Sequence, residues 1–360
     1  MAVVSREARV SRAPAVKLSL NRIMLWVVGL GVTALVVWRI AGTAALGLYG
    51  PDVWLMQTLN GLVQGSMYAL VALGYTMVYG ILLMINFAHG EIFMIGAMSG
   101  YFVLNGFHQS GFLASNPVPA LLITFIVGMG VPPIVGVLLE RIAYRPLRRA
   151  PRLVPLICAI GASFFLQQAV RLLFGIRTKV YPTVAVLSGS WTITVGEREM
   201  RIQHMSVLII VITIVLMVAL YLLVRKTKIG KAMRAVAEDK EAAALMGIDV
   251  DQVIMVTFAI GAILAGAAGV MWGLWYKQVI HTVGFIPGIK AFTAAVLGGI
   301  GNIPGAMLGG LFLGFVEAIA PTALDISTQL KDVISFGLLV IVLIFRPSGI
   351  LGEVLTGKKA

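Results

Sequence analysis

The chain has 360 residues, of which 59% are hydrophobic and 12% are charged, and its mean hydropathy is +0.97. Soluble domains contain about 45–50% apolar residues, so this composition excludes an ordinary soluble domain. The net charge of +13 is carried by Lys and Arg between apolar runs, which favours contact with membrane lipid over nucleic acid. We predict an all-α polytopic membrane protein; a membrane β-barrel is excluded because the apolar runs do not alternate.

Ten apolar segments predict about nine or ten helices that cross all or half of the membrane. Residues 1–50 are predicted to be a basic segment followed by a retained accessory helix, whose Arg39 should reach the outer interface or a partner helix. The run 53–84 is longer than the about 20 residues that cross a bilayer core, so a broken or tilted helix is expected there. The predicted bounds are 23–46, 53–80, 90–107, 119–139, 153–174, 204–224, 253–276, 288–301, 304–319 and 332–346.

The distribution of basic residues predicts the orientation of the chain. Lys and Arg are concentrated in segments 140–152 and 225–252 and in the tail 353–360, which is typical of cytoplasmic regions. Segments 107–118 and 320–331 contain few basic residues and are predicted to be external. Both termini of this multi-pass protein should therefore be cytoplasmic.

The longest external connection is 175–203. Apolar residues alternate on both sides of a Gly-Glu pair at 196–197, which predicts a small β-hairpin. A solvated loop and a landing site for an external protein are both compatible with this pattern.

The stretch "INFAHGEIFM" at 85–94 places three polar residues, Asn86, His89 and Glu91, inside an apolar region. Polar side chains at membrane depth commonly mark a translocation path, which these residues would line or brace. In the other interpretation, Asn86 or Glu91 caps the next helix and His89 is a structural partner. We favour bracing over direct contact with a substrate.

A second unusual region is the glycine-rich segment 291–315. The residues 301–304, Gly-Asn-Ile-Pro, predict a helix break between two short segments, and Gly298, Gly301 and Asn302 are candidates to line or brace a path. The spacings 301–305 and 309–314 between glycines permit close helix packing. The break is compatible with a transport pathway or with a tight turn at one membrane face.

The cytoplasmic segment 225–252 predicts an amphipathic helix over 231–246, with Met246 near its apolar face. Gly247 is placed to end that helix, and Asp249 or Asp251 to cap the next. Glu241, Ala242 and Ala243 precede this glycine, and the small side chains permit close approach of a partner surface. The other interpretation is a helix lying on the inner leaflet.

Two enzyme classes can be excluded from the motifs. An intramembrane serine protease would need a Gly-x-Ser-Gly nucleophile turn, which the sequence lacks. Residues 352–358 imitate a phosphate-binding loop, but Lys359 replaces the Ser or Thr that would bind magnesium. Cys158 is the only cysteine, so no Cys/His cluster with metal-ligand spacing is predicted. We therefore expect no catalysis, no metal and no cofactor in this chain.

The order of residues at 241–247, Glu-Ala-Ala and then Gly, resembles the coupling loop of bacterial ABC importer permeases. The segments "LNGLVQGSMYALVALGYTMVYGILLMINFAHGEIFMIGA", "AIGASFFLQQ" and "KAFTAAVLGGIGNIPGAMLGGLFLG" are similar to the LivH-type permease of branched-chain amino acid importers. The resemblance covers about residues 54–352. It implies an ABC importer permease domain over 51–352.

The resemblance also implies partners and an alternative substrate. An importer of this type works in a bacterial inner membrane with a second homologous permease, two cytoplasmic ATPases that bind ATP, and a periplasmic substrate-binding protein. The expected function is the transmembrane passage of branched-chain amino acids. A permease for urea or short amides shares a similar motif at 85–91 and remains open, as does, with less support, a stand-alone secondary transporter.

Overall fold

A computed structural model describes residues 34, 36–43, 45–148, 150–151, 153–195, 198–346 and 348–352. The prediction of an all-α polytopic protein is confirmed, since seven of the described helices are long and apolar enough to cross a membrane. The helices are α1 Pro51–Leu82, α2 His89–Gln109, α3 Phe112–Ser115, α4 Pro117–Leu139, α5 Leu153–Phe174, α6 His204–Lys226, α7 Lys228–Glu238, α8 Lys240–Leu245, α9 Val250–Tyr276, α10 Phe285–Gly298, α11 Ile303–Leu324 and α12 Lys331–Phe345.

Helix α1 is one continuous helix of 32 residues, with a length of about 48 Å. Of the two expectations for 53–84, a broken or a tilted helix, the first is wrong for the residues up to Leu82, where the helix ends. Most of α1 and α9 is buried, whereas α5 and α6 expose much of their apolar surface. Helices α1 and α9 therefore lie at the centre of the core. Helix α10 has only 14 residues, about 21 Å, and fits a half-spanning segment.

Glycines bring the core helices into close contact, as predicted for the glycine-rich segment. A Cβ at Gly314 would lie 2.1 Å from the backbone nitrogen of Gly65, so α11 and α1 cross with almost touching backbones. Helices α2 and α9 approach equally closely, because a Cβ at Gly96 would lie 2.4 Å from the Cα of Gly266. Side chains larger than hydrogen would separate these helices.

The predicted hairpin is confirmed by two antiparallel strands, Ser190–Val195 and Arg198–Gln203. A second strand pair, Lys179–Val180 with Gln278–Val279, was missed because two-residue strands have no periodicity. A cavity of about 420 Å³ lies beside the hairpin, and its lining includes residues from the hairpin and from the end of α9.

Part of the N-terminal prediction can be compared with the structure. Residues 36–43 are helical, and Arg39 donates hydrogen bonds to the carbonyl of Leu324 at 3.0 and 3.2 Å and to that of Asp325 at 3.3 Å. Arg39 therefore meets the end of another helix, the second of the two expected outcomes. The basic residues before 34 and the tail 353–360 lie outside the described residues.

Candidate functional site

Two helices that follow breaks in the chain, at 83–88 after α1 and at 277–284 after α9, begin side by side in the core. We call the break at 83–88, between α1 and α2, the central break. Helix α1 is followed by Leu83 in the left-handed conformation (φ 56°), and α9 by Lys277 in the same conformation (φ 55°). The next helices, α2 and α10, begin side by side: a Cβ at Gly284 would lie 2.1 Å from the carbonyl oxygen of Gly90. Discontinuous helices whose starts meet inside a bundle are typical of transporter pathways.

Glu91 connects two helices and does not cap its own. Its side chain is fully buried, and its Oε1 accepts hydrogen bonds from Gln167 Nε2 at 2.7 Å and from Ser163 Oγ at 3.1 Å, both on α5. The cap position of α2 is Ala88, and no side chain of the described residues bonds there. The interpretation of Asn86 or Glu91 as a helix cap is therefore wrong, because both side chains bond to other helices.

His89 and Asn86 lie beside this connection, each only 2% exposed. The His89 ring packs edge-on against Tyr75 with ring centroids 4.9 Å apart, in a niche that a Cβ at Gly74 would fill, 2.2 Å from Nε2. Asn86 Oδ1 accepts a hydrogen bond of 2.6 Å from the hydroxyl of Tyr144. The structure thus brings the three polar residues of the sequence motif into one buried region.

The break predicted at 301–304 is present between α10 and α11, but it begins earlier than predicted, because α10 ends at Gly298. Gly301 has a φ of +94°, and a Cβ there would meet no described atom within 4 Å, so this glycine serves the turn and not helix packing. Asn302 Oδ1 accepts a hydrogen bond from the N–H of Gly305 at 3.0 Å and thereby caps α11. Its Nδ2 donates to the carbonyl of Leu351 at 2.9 Å, which fixes the C-terminal segment against the break.

The segment 225–252 contains two helices where one was predicted over 231–246. Asp239 interrupts 231–246, because its Oδ1 accepts hydrogen bonds from the N–H groups of Glu241 (2.9 Å) and Ala242 (3.0 Å) and so starts α8. As predicted, Gly247 ends α8 with a φ of +83°, and Asp249 caps α9.

The exposed surface of α8 differs from the predicted one. Ala243 is buried, but Met246, which was placed on the apolar inner face, is 83% exposed, and its neighbour Leu245 is 89% exposed. Helix α8 ends at Leu245, so Met246 lies just beyond the helix and not on its face. Together with Glu241 and Ala242, these two residues form an exposed protrusion in residues 239–249, which we call the docking loop.

A buried ionic cluster was missed by the sequence reasoning. Lys290 Nζ lies 2.6 Å from Glu317 Oε1 and 2.6 Å from Asp332 Oδ1, and Ser335 Oγ donates to Glu317 Oε2 at 3.2 Å. The side chains of Lys290 and Glu317 are 3% and 0% exposed. The cluster joins α10, α11 and α12. The sequence did contain a signal for this cluster: charged residues lie inside predicted spans, and such residues are costly in a membrane unless they are paired.

Known proteins are similar in sequence to most of this chain. The family model described as branched-chain amino acid transport system permease component matches residues 57–343. The chain is 48% identical over 308 residues to the high-affinity branched-chain amino acid transport system permease protein BraD of Pseudomonas aeruginosa, with 84% of this chain and 98% of BraD covered. It is 45% identical over 307 residues to the corresponding protein LivH of Escherichia coli K12, with 83% of this chain and 96% of LivH covered. The chain therefore belongs to the branched-chain amino acid transport system permease component family.

Proposed function

We propose that the chain is the transmembrane permease subunit of an ATP-driven ABC importer for branched-chain amino acids. The observation that carries this proposal is the identity of 48% and 45% to two high-affinity permeases over nearly their full lengths. The adjacent starts of α2 and α10 support a transport role, because discontinuous helices in a bundle provide polar groups along a path.

The docking loop is the proposed contact with a cytoplasmic ATPase. Leu245 and Met246 expose apolar surface at the end of a short helix, and Glu241 stands on the same helix. Exposed apolar groups on an otherwise polar segment are typical of an interaction site. Two ATPases would bind ATP and move this loop, so that the chain needs no cofactor of its own.

The other proposed partners follow from the same system. A second homologous permease would complete the translocation path, and a periplasmic binding protein would deliver the amino acid on the side of the hairpin 190–203. Both termini would then be cytoplasmic, as the basic residues of the loops predict. Residues 1–50 lie outside the matched family region and are proposed to be an accessory element.

Substrate competition tests the proposed substrate. The complete importer, with both permeases, both ATPases and the binding protein, is reconstituted in vesicles and supplied with radiolabelled leucine. Excess unlabelled isoleucine or valine should suppress leucine uptake, and urea or acetamide should not. Suppression by urea or acetamide alone would favour the alternative of a urea or short-amide permease.

A further inference from the structure

The cytoplasmic end of α4 is irregular. After Leu139 the helix continues as a π-helical turn, Glu140–Tyr144, and then as a 3₁₀ turn, Arg145–Leu147. Short π-helical turns are rare and occur frequently at functional sites.

One side of the π turn reaches the central break. Tyr144 is fully buried, and its hydroxyl donates the 2.6 Å hydrogen bond to Asn86 Oδ1 between α1 and α2. Both partners are shielded from water, so loss of the hydroxyl would leave the Asn86 oxygen without this donor.

The other side of the π turn reaches the docking loop. The guanidinium of Arg148 pairs with Glu140 in the π turn and with Asp251 in the first turn of α9, directly after the docking loop. The side chain of Glu140 is 2% exposed and that of Arg148 17% exposed, so the carboxylate depends on this guanidinium for its counter-charge. Arg145 also pairs with Asp251, but its side chain is 51% exposed.

A second observation places α8 within electrostatic reach of Arg148. Partial desolvation, and then the positive charge of Arg148, lower the pKa of Lys240, the first residue of α8. The charge of Arg148 therefore interacts with the start of α8 and with the start of α9, which lie at the two ends of the docking loop.

We propose that Arg148 and Tyr144 are positioning residues that couple the docking loop to the central break through the π turn. A movement of α8 and α9 shifts Asp251, Arg148 carries the shift to Glu140, and the π turn carries it to Asn86 through Tyr144. This inference rests on the proposed function, because the movement originates in an ATPase bound at the docking loop.

The experiment uses the complete importer in proteoliposomes and measures leucine uptake per ATP hydrolysed. Tyr144→Phe and Arg148→Gln should each lower this ratio about tenfold while the ATPases still copurify with the permeases. Arg145→Gln is the matched control: it removes an exposed partner of Asp251 that does not reach Glu140, and it should leave the ratio unchanged. The double variant Tyr144→Phe with Arg148→Gln should show a ratio no lower than the lower of the two single-variant ratios, because both substitutions act on one route.

Two results would overturn the inference. The first is a normal ratio of leucine uptake to ATP hydrolysis in Tyr144→Phe. This substitution removes a single oxygen atom, so the result would count even if Arg148→Gln fails to assemble. Multiplying effects in the double variant would overturn the inference as well, since they would indicate independent roles. If the wild-type importer itself shows no ATP-driven leucine uptake, the proposed function fails instead.

Discussion

Glu91 on α2 accepts a 2.7 Å hydrogen bond from Gln167 on α5, and this pair joins the helix that follows the central break to its neighbour. Gln167 is itself only 5% exposed, so water cannot replace the hydrogen bond between these two side chains. A buried polar pair of this kind fixes the position of the helices that carry it.

Glu91→Gln should be tolerated, and Glu91→Leu should impair assembly or transport. Glutamine retains an oxygen that can accept from Ser163 and Gln167, whereas leucine leaves both buried donors without it, at a cost of about 1–3 kcal/mol each. Thermal unfolding in detergent and leucine uptake measure the effect. Gln168→Leu, at an exposed neighbouring position on α5, is the control. Equal behaviour of Glu91→Leu and wild type would contradict a bracing role.

His89→Gln should leave the pH dependence of uptake unchanged between about pH 6 and pH 8, the range in which an unperturbed histidine titrates. The ring is enclosed by Gly74 and Tyr75, and an ATP-driven importer needs no proton gradient. Uptake is measured across this range in both proteins. Loss of a proton-dependent component in the variant would support a secondary transporter.

Lys290→Met should lower the free energy of unfolding by about 3–5 kcal/mol, because Glu317 then keeps a buried charge without its close cation. The double variant Lys290→Met with Glu317→Gln should recover much of this loss. Lys331→Met is the control, since Lys331 is 3.7 Å from Glu317 and 38% exposed, and it should cost less than about 1 kcal/mol. Denaturant unfolding in detergent gives the values. Similar losses in the two lysine variants would contradict a central role for Lys290.

The sequence could predict those features that depend on neighbours along the chain. The length of the apolar segments located each predicted span from residue 53 onward. Gly247 was identified as a helix end, and Asp249 as one of two candidates for a helix start, because caps depend on local sequence. The partners of Glu91 could not be predicted, since Ser163 and Gln167 are more than 70 positions away and approach only through tertiary packing.

One wrong prediction and one missed feature have a local physical cause. Asp239 starts a second helix within the predicted helix 231–246, and Met246 lies just beyond the end of that second helix, where it is exposed. The π turn at Glu140–Tyr144 shifts the helical register by one residue, which no apolar periodicity would indicate.

Gly247→Val should separate ATP hydrolysis from transport. The backbone at Gly247 has a φ of +83°, which a β-branched residue adopts only with strain, and no described atom within 4 Å would obstruct the new side chain. The effect would therefore come from the backbone of the docking loop. Gly247→Asn, which tolerates the left-handed conformation, is the matched control and should retain coupled uptake. Coupled uptake in Gly247→Val would contradict the assignment of the docking loop.

The energy source of uptake tests the central claim most directly. Proteoliposomes that contain the complete importer are given radiolabelled leucine and the binding protein outside, with either ATP inside or an imposed proton or sodium gradient without ATP. The proposed function predicts accumulation of leucine only with ATP inside and only with the binding protein present. Accumulation driven by an ion gradient in the absence of ATP would contradict it.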